Sequence, residues 1–383
     1  MMNKIGIFDY TVRRKKNILL IGQTPPPFHG QAVATKLLFD HDWNEKKVYS
    51  LRMDYSHSEV EVGRFRIRKV LHLFSLTFKS IVLLIGYKPC IIYYPPASPH
   101  IVPVLRDIFF LTFVRPFAKG TVFHFHAGGL AEYLNSLKNP LRFLARLAYS
   151  KPDVGIAISK SQLEDINAFL PKSKIVIPNG LDVPDDVTAG SKKEEGLKRI
   201  LYVAGLRKSK GVLDLITTAE KLKQMKVDFI IDVVGSWQEP ETEKIFLSEL
   251  SQKGFEKNFL IHGKLTGQDK WNLYHSASVF FFPSYYESEN FPLVLIEAMA
   301  FGLPIVSTKW RGITEMVDHG VSGFLCEIGK CDQFAEALKC LLIDKGVHDE
   351  MSKSARSLYR NKYTKHAFLN AMEKAFEDVA SND

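Results

Sequence analysis

The feature that most constrains this chain is a rhythm that runs twice. Before residue 180, short apolar runs at 17–22, 48–53, 91–94, 121–125, 154–158 and 175–177 are separated by helix-period segments such as 31–40 and 141–150. After residue 198 it restarts, with apolar runs at 199–204, 228–234, 258–262 and 279–282 and helical patterns at 212–225, 241–253 and 268–277. Helical patterns return at 334–343 and twice more, ending near Phe376. Near-continuous apolar strands alternating with helices predict parallel sheets covered on both faces. Between the halves lies the polar, turn-rich segment 180–196, which reads as a linker or exposed loop. A chain of 383 residues suits two domains better than one core.

Apolar residues make up 46% and charged residues 24%, a globular balance. The four cysteines, Cys90, Cys326, Cys331 and Cys340, show neither CxxC pairing nor metal-ligand spacing, which fits a reducing cytoplasm. The apolar run 18–21 is too short for a signal-peptide core and reads as the first strand. The net charge is +9, and basic residues crowd the first half, with Arg64, Arg66, Arg68 and Lys69 directly ahead of the apolar run 70–86. Broken by His72 and Lys79, that run is shorter and more polar than a spanning helix needs. Two readings stand: an amphipathic surface on anionic lipid, or a domain-packing helix with a solvated basic edge. No nucleic-acid motif accompanies the charge, so nucleic acid is not an expected partner.

Chemistry concentrates in residues 284–307, SYYESENFPLVLIEAMAFGLPIVS. Glu289 and Glu297 stand eight positions apart across a loop-to-helix junction. Pro292 suits the first helical turn, Gly302 suits the end, and Pro304 blocks continuation, so a short helix is predicted over about 292–301. The free amides of Leu293 and Val294 at its start would favour an anion. Glu289 would sit at the mouth of that hole and Glu297 just over one turn inside.

This block, with the following 312–324 segment GITEMVDHGVSGF and its Glu315, resembles the Glu-x7-Glu signature of retaining GT-B glycosyltransferases, the glycosyl transferases group 1 family. The resemblance implies an α/β chain of two Rossmann-like, doubly wound domains facing a central cleft. The implied organisation is an acceptor-binding domain at 1–183, a linker at 184–198, a nucleotide-sugar donor domain at 199–360 and a C-terminal helix, 361–383, packing back on the first domain. Within the donor domain, Arg207 and Lys210 of the segment Gly205-Leu-Arg-Lys-Ser-Lys-Gly211 would neutralise the diphosphate, Arg207 at a shorter spacing to Lys210 than is common. Glu297 would take the ribose hydroxyls and Glu289 the donor sugar, with Asn290 and Phe291 beside them. In the first half Gly30 occupies the place of the glycine-rich loop, although His29-Gly30-Gln31 replaces the usual Gly-Gly pair. His126, in Phe123-His-Phe-His126, resembles the histidine at the reacting centre, and His124 reads as packed. His124 and His126 lack a third ligand of clear spacing, and no Asp-x-Asp pair is placed to hold a cation. Asn179-Gly180 is a good turn of modest functional weight.

The expectation is a metal-independent enzyme moving a hexose from a nucleotide diphosphate sugar, a UDP-sugar by preference, to a hydroxyl of a growing lipid-linked glycan in surface polysaccharide synthesis. Glu289, His126 and Lys210 would be catalytic, with no cofactor, since the nucleotide-sugar is a substrate. A cytoplasmic protein, peripheral at the inner membrane face, fits the basic first half. A nucleotide-sugar epimerase of the same architecture and a non-catalytic carbohydrate-binding module remain the alternatives.

Overall fold

The computed structural model describes residues 17–26, 29–43, 46–53, 55, 67–87, 90–183 and 198–381. Arg64, Arg66 and most of the expected linker lie outside them. The first half holds strands β1 (Asn17–Gly22), β2 (Val48–Arg52), β3 (Cys90–Tyr94), β4 (Gly120–Phe125), β5 (Val154–Ala157) and β6 (Ser173–Val176). Its helices are α1 (Gly30–Phe39), α2 (Ile67–Gly86), α3 (Ile101–Val114), α4 (Leu130–Ser136), α5 (Asn139–Tyr149) and α6 (Leu163–Asn167). In the second half the strands are β7 (Arg199–Val203), β8 (Ile230–Val234), β9 (Phe259–Gly263), β10 (Val279–Phe282), β11 (Ile305–Thr308) and β12 (Gly323–Cys326). The helices continue as α7 (Asp214–Gln224), α8 (Pro240–Gln252), α9 (Gly267–Ser276), α10 (Leu293–Ala300), α11 (Ile313–Met316), α12 (Cys331–Ile343), α13 (Lys345–Leu358) and α14 (Lys365–Ser381).

Both sheets are parallel, as the alternation requires, but their strand orders differ. The first runs β2-β1-β3-β4-β5-β6 and the second β12-β11-β10-β7-β8-β9. The order reverses between β1 and β3 in one and between β7 and β10 in the other. Ligands of open α/β sheets sit outside the carboxyl ends of the strands at such reversals.

Alternate side chains along each strand enter opposite layers. In β7, Ile200 and Tyr202 enter one core and Leu201 and Val203 the other. The first sheet is covered on one face by α2, α3 and α5, and on the other by α1 and α14. Helix α14 reaches that position after a π-helical turn at Tyr359–Tyr363, where Leu181 N–H donates to Tyr363 O at 2.9 Å and Lys365 N–H donates to Leu181 O at 3.1 Å. Phe368, Met372 and Phe376 then pack beneath β1 and β4.

Candidate active site

Beyond β7 the chain makes a single 3₁₀ turn, Lys208–Lys210, closed by Gly211. Gly211 has φ +75°, and a Cβ there would lie 2.2 Å from the Pro283 carbonyl oxygen, so no other residue fits. The turn is fastened to its surroundings. Tyr285 N–H donates to Ser209 O at 2.9 Å, and Tyr202 Oη donates to Lys210 O at 3.1 Å. Glu239 accepts from Lys208 N–H at 2.9 Å and from Thr242 Oγ1 at 2.8 Å. These hydrogen bonds, that from Lys208 first, hold the Glu239 carboxyl below its ordinary range.

Lys210 is thereby aimed at the loop after β10, and its Nζ pairs directly with Glu289 Oε2. Ser284 Oγ donates to the same oxygen at 2.7 Å. Lys210 Nζ and the Arg207 guanidinium both lie over the Tyr286 ring, at 4.7 and 5.2 Å from its centroid. Two cations against one aromatic ring, beside a helix start, form a focus of positive potential. Arg207 Nε is buried there without a partner.

Helix α10 is shorter than its sequence predicts. Pro292 has ψ 115° and is the N-cap, not the first helical residue, and the helix ends at Ala300, not at Phe301. The first turn closes only when Leu295 N–H reaches Pro292 O at 3.1 Å, and Gly302 at φ +64° stops the other end. The anion hole is otherwise open: Pro292 gives no side-chain cap, and Leu293 and Val294 have no intrahelical acceptor for their amides. Phe291 turns its ring into the core, 5.8 Å from Tyr363, so only its backbone can meet a ligand. Asn290 is held from behind by Gly312, where a Cβ would fall 1.7 Å from the Asn290 carbonyl oxygen.

Glu297 is buried one helical turn further in, with both oxygens engaged. Lys270 Nζ lies 2.6 Å from Oε1, and Tyr274 Oη donates to Oε2 at 2.7 Å. Lys270, Tyr274, Ser284 and Tyr286 are site residues that the sequence reading does not pick out. Lys270 and Tyr274 are four apart on α9 and share a face, but only the fold puts that face against α10.

The opposite wall comes from the first half. A Cβ on Gly30 would lie 3.5 Å from Asn179 Nδ2 and 4.0 Å from Leu293 Cγ, which places the start of α1 across the cleft from the start of α10. Likewise a Cβ on Gly128 would lie 3.3 Å from Asn290 Nδ2. His126, just past β4, has both ring nitrogens buried and unpartnered, 4.1 Å between its centroid and that of His124. Desolvation, reinforced by His124 and His29, holds the His126 pKa well below its ordinary value, so the ring is neutral at physiological pH. His124 is packed as expected: its Nδ1 shares a 2.9 Å hydrogen bond with Tyr93 Oη, and burial lowers its pKa to about 3. Asn179 is 1% exposed and its Oδ1 has no partner, a stronger position than a turn residue holds. Glu315 of α11 ties the walls together by accepting from Lys160 N–H at 2.6 Å and Ser161 N–H at 2.7 Å. Among the described residues no three His, Cys, Asp or Glu side chains converge as metal ligands.

Comparisons with known proteins point to glycosyltransferases. The family model described as glycosyl transferases group 1 matches residues 185–358. The N-acetyl-alpha-D-glucosaminyl L-malate synthase of Bacillus anthracis is 29% identical over 259 residues, 65% of this chain and 64% of that protein. The capsular polysaccharide biosynthesis glycosyltransferase CapM of Staphylococcus aureus is 24% identical over 239 residues, 58% of this chain and 60% of that protein. Each match spans less than two thirds of the relative's own length. Among solved structures, HepE of Anabaena in complex with UDP and glucose superposes with a TM-score of 0.66 at 17% identity, covering 95% of this chain and 100% of that one. At that identity the superposition establishes the fold, which is GT-B.

Proposed function

For a chain that belongs to the glycosyl transferases group 1 family, we propose that the cleft transfers a hexose from a UDP-sugar to a hydroxyl of a growing glycan, with retention at the anomeric carbon. The observation that carries this reading is the meeting of Lys210, Arg207 and the open start of α10 at the strand-order reversal of the second sheet, facing Gly30 across the cleft. A diphosphate is the ligand whose charge this arrangement answers. It seats two phosphates between a lysine, a guanidinium and free amides, all fixed before the ligand arrives.

The chemistry follows from that seat. As the glycosidic bond breaks, its electron pair leaves on the diphosphate, and Lys210 and Arg207 take up the growing charge. They supply the charge that a divalent cation would otherwise bring, so the reaction needs no metal. Lys210 must exchange its partner Glu289 for phosphate oxygens, which frees the Glu289 carboxylate to accept from the sugar hydroxyls. His126, neutral, offers one N–H and one lone pair to the sugar from the other wall. Glu297 receives the ribose hydroxyls on the lone pairs that Lys270 and Tyr274 leave open. The kinship with CapM, a protein named for capsular polysaccharide biosynthesis, supports a surface glycan as acceptor.

A panel of nucleotide-sugars, with hydrolysis read by mass, tests the donor without needing the acceptor. UDP-sugar should be cleaved in the presence of EDTA, and Glu289→Gln and His126→Ala should slow cleavage more than they weaken UDP binding. No cleavage of any donor, or complete loss on chelation restored by metal, overturns the reading. An inverted product by NMR overturns retention alone.

A further inference from the structure

The three helices covering one face of the first sheet are built the wrong way round for water. Along α2, Ile67, Leu71, Phe74, Phe78, Val82 and Ile85 recur at helical spacing, and each is at least half exposed. The polar Thr77 and Ser80 of that helix are turned inward instead, Ser80 to 0% exposure, where their hydroxyls donate to Leu73 O and Leu76 O at 2.8 Å. A water-facing helix has the reverse pattern. The ridge continues sideways. Phe74 meets Phe109 of α3 at 5.1 Å between ring centroids, and Phe109 meets Phe113 at 4.9 Å. On α5, packed beside α3, Phe143 is 68% exposed, with Leu144 and Leu147 next to it.

Charge selects the occupant. The three helices contain one acidic residue, Asp107, and it is fully buried, accepting from Tyr94 Oη at 2.7 Å, Tyr149 Oη at 3.0 Å and Ala97 N–H at 2.7 Å. That cluster fixes which side of α3 faces the sheet. What remains outside is apolar and basic, with Arg68, Lys79 and Arg146 exposed among the aromatic and aliphatic side chains. An extended apolar surface bordered by cations and free of exposed carboxylates complements an anionic bilayer. A second copy of the same face would bring cation against cation.

We propose that α2, α3 and α5 form a membrane-docking face that lies on a bilayer containing anionic phospholipid. The apolar run 70–86 reads as too short and too polar to span, but the helix it belongs to begins at Ile67, and over Ile67–Gly86 α2 is long and apolar enough to cross a membrane. Yet Leu76 and Leu84 are part of the core under β1 and β3, so leaving the sheet would uncover that core. It therefore lies flat, with its apolar stripe in the headgroup and acyl boundary. Helices in this layer run antiparallel to the strands, so the starts of α2 and α3 stand at the carboxyl edge of the sheet, as His126 does. Docking on this face sets the cleft beside the lipid surface, within reach of a hydroxyl carried on a lipid. The docking face stands independently of the reaction proposed above.

Flotation of the whole chain with vesicles of phosphatidylcholine alone, or with phosphatidylglycerol added, tests it. Wild type should float with the anionic vesicles and sink with the neutral ones. Arg68→Glu/Lys79→Glu/Arg146→Glu should weaken binding about fivefold or more per charge. Phe78→Ser/Phe143→Ser should lose flotation at every salt concentration, with an unchanged circular dichroism spectrum and unchanged donor hydrolysis. Wild type remaining at the bottom with anionic vesicles at low salt overturns the proposal, as does flotation untouched by either set of changes. A dimer in light scattering that Phe78→Ser/Phe143→Ser dissociates also overturns it, since the face would then be an interface between copies.

Discussion

The two walls of the cleft are made ready in opposite ways. On the second-half wall the two buried glutamates already have company, Glu289 with Lys210 and Ser284, and Glu297 with Lys270 and Tyr274. On the first-half wall the buried polar groups are neutral and several wait without partners: both nitrogens of His126, Nε2 of His124 and Oδ1 of Asn179. A buried charge left alone is costly enough that the fold must pair it internally, whereas a buried neutral group can be left unmatched at a smaller cost. Ligand binding therefore means exchange on one wall and addition on the other. A charged, chemically uniform ligand part suits exchange, and uncharged hydroxyls suit addition.

The sharpest way to break this contrast is to strand one member of an ion pair. Lys210→Met leaves Glu289 buried against Ser284 alone, and should cost about 3 kcal/mol of stability and at least roughly 100-fold in donor affinity. Adding Glu289→Gln should recover most of the stability and none of the activity. Chemical denaturation and calorimetry read both, and a single variant as stable as the double would show that the pair is not what holds this wall.

Acid should attack the other wall. His124 and His126 have folded pKa values below their unfolded ones, so the unfolded chain takes up protons first. Their contribution is intact above the unfolded-state value of about 6.5 and is lost progressively as pH falls below it. Asp214, whose carboxyl burial pushes up to about 6, works in the opposite sense between its unfolded value and pH 6. Melting temperatures from pH 7.5 to 5 should fall, and His124→Phe should flatten the slope. An unaltered slope in that variant would falsify the assignment of acid sensitivity to this wall.

Smaller effects refine the comparison. Tyr274→Phe removes one of two partners of Glu297 and should weaken nucleotide binding by about 1 kcal/mol, roughly fivefold, by freeing the carboxylate to move. Affinity equal to wild type in titration calorimetry would mean Lys270 alone positions it. Glu315→Gln weakens the tie to Lys160 and Ser161 and should raise the donor KM about threefold at constant kcat, with a larger radius of gyration by X-ray scattering. An unchanged radius would place that tie outside domain closure.

Much of this was legible in the residues. Strands at 17–22 and 279–282 fall where the apolar runs place them, the other expected strands shift by a residue or two at their ends, and β12 (Gly323–Cys326) falls where no strand is expected. Those ends are set by hydrogen bonds to neighbouring strands, which no local pattern contains. Pro292 shows the same limit at a helix: proline fixes φ but not ψ, and with ψ at 115° the helix begins one residue later. Phe291 reads as a site residue by position, and the fold spends its ring on Tyr363.

By itself the sequence determined two parallel, helix-covered sheets, because periodicity of apolar residues is a local property that dictates each element and its covered faces. It also determined the Glu289–Glu297 block, because loop, helix start and both carboxylates are contiguous in the chain. Tertiary structure alone decided the strand orders, which differ between sheets built from the same kind of unit. It alone decided the partners of the two glutamates, since Lys210 lies 79 positions from Glu289 and Lys270 lies 27 from Glu297. And it alone turned Thr77 and Ser80 inward and the phenylalanines of α2 outward, because which side of a helix is the inside is settled by what packs against it.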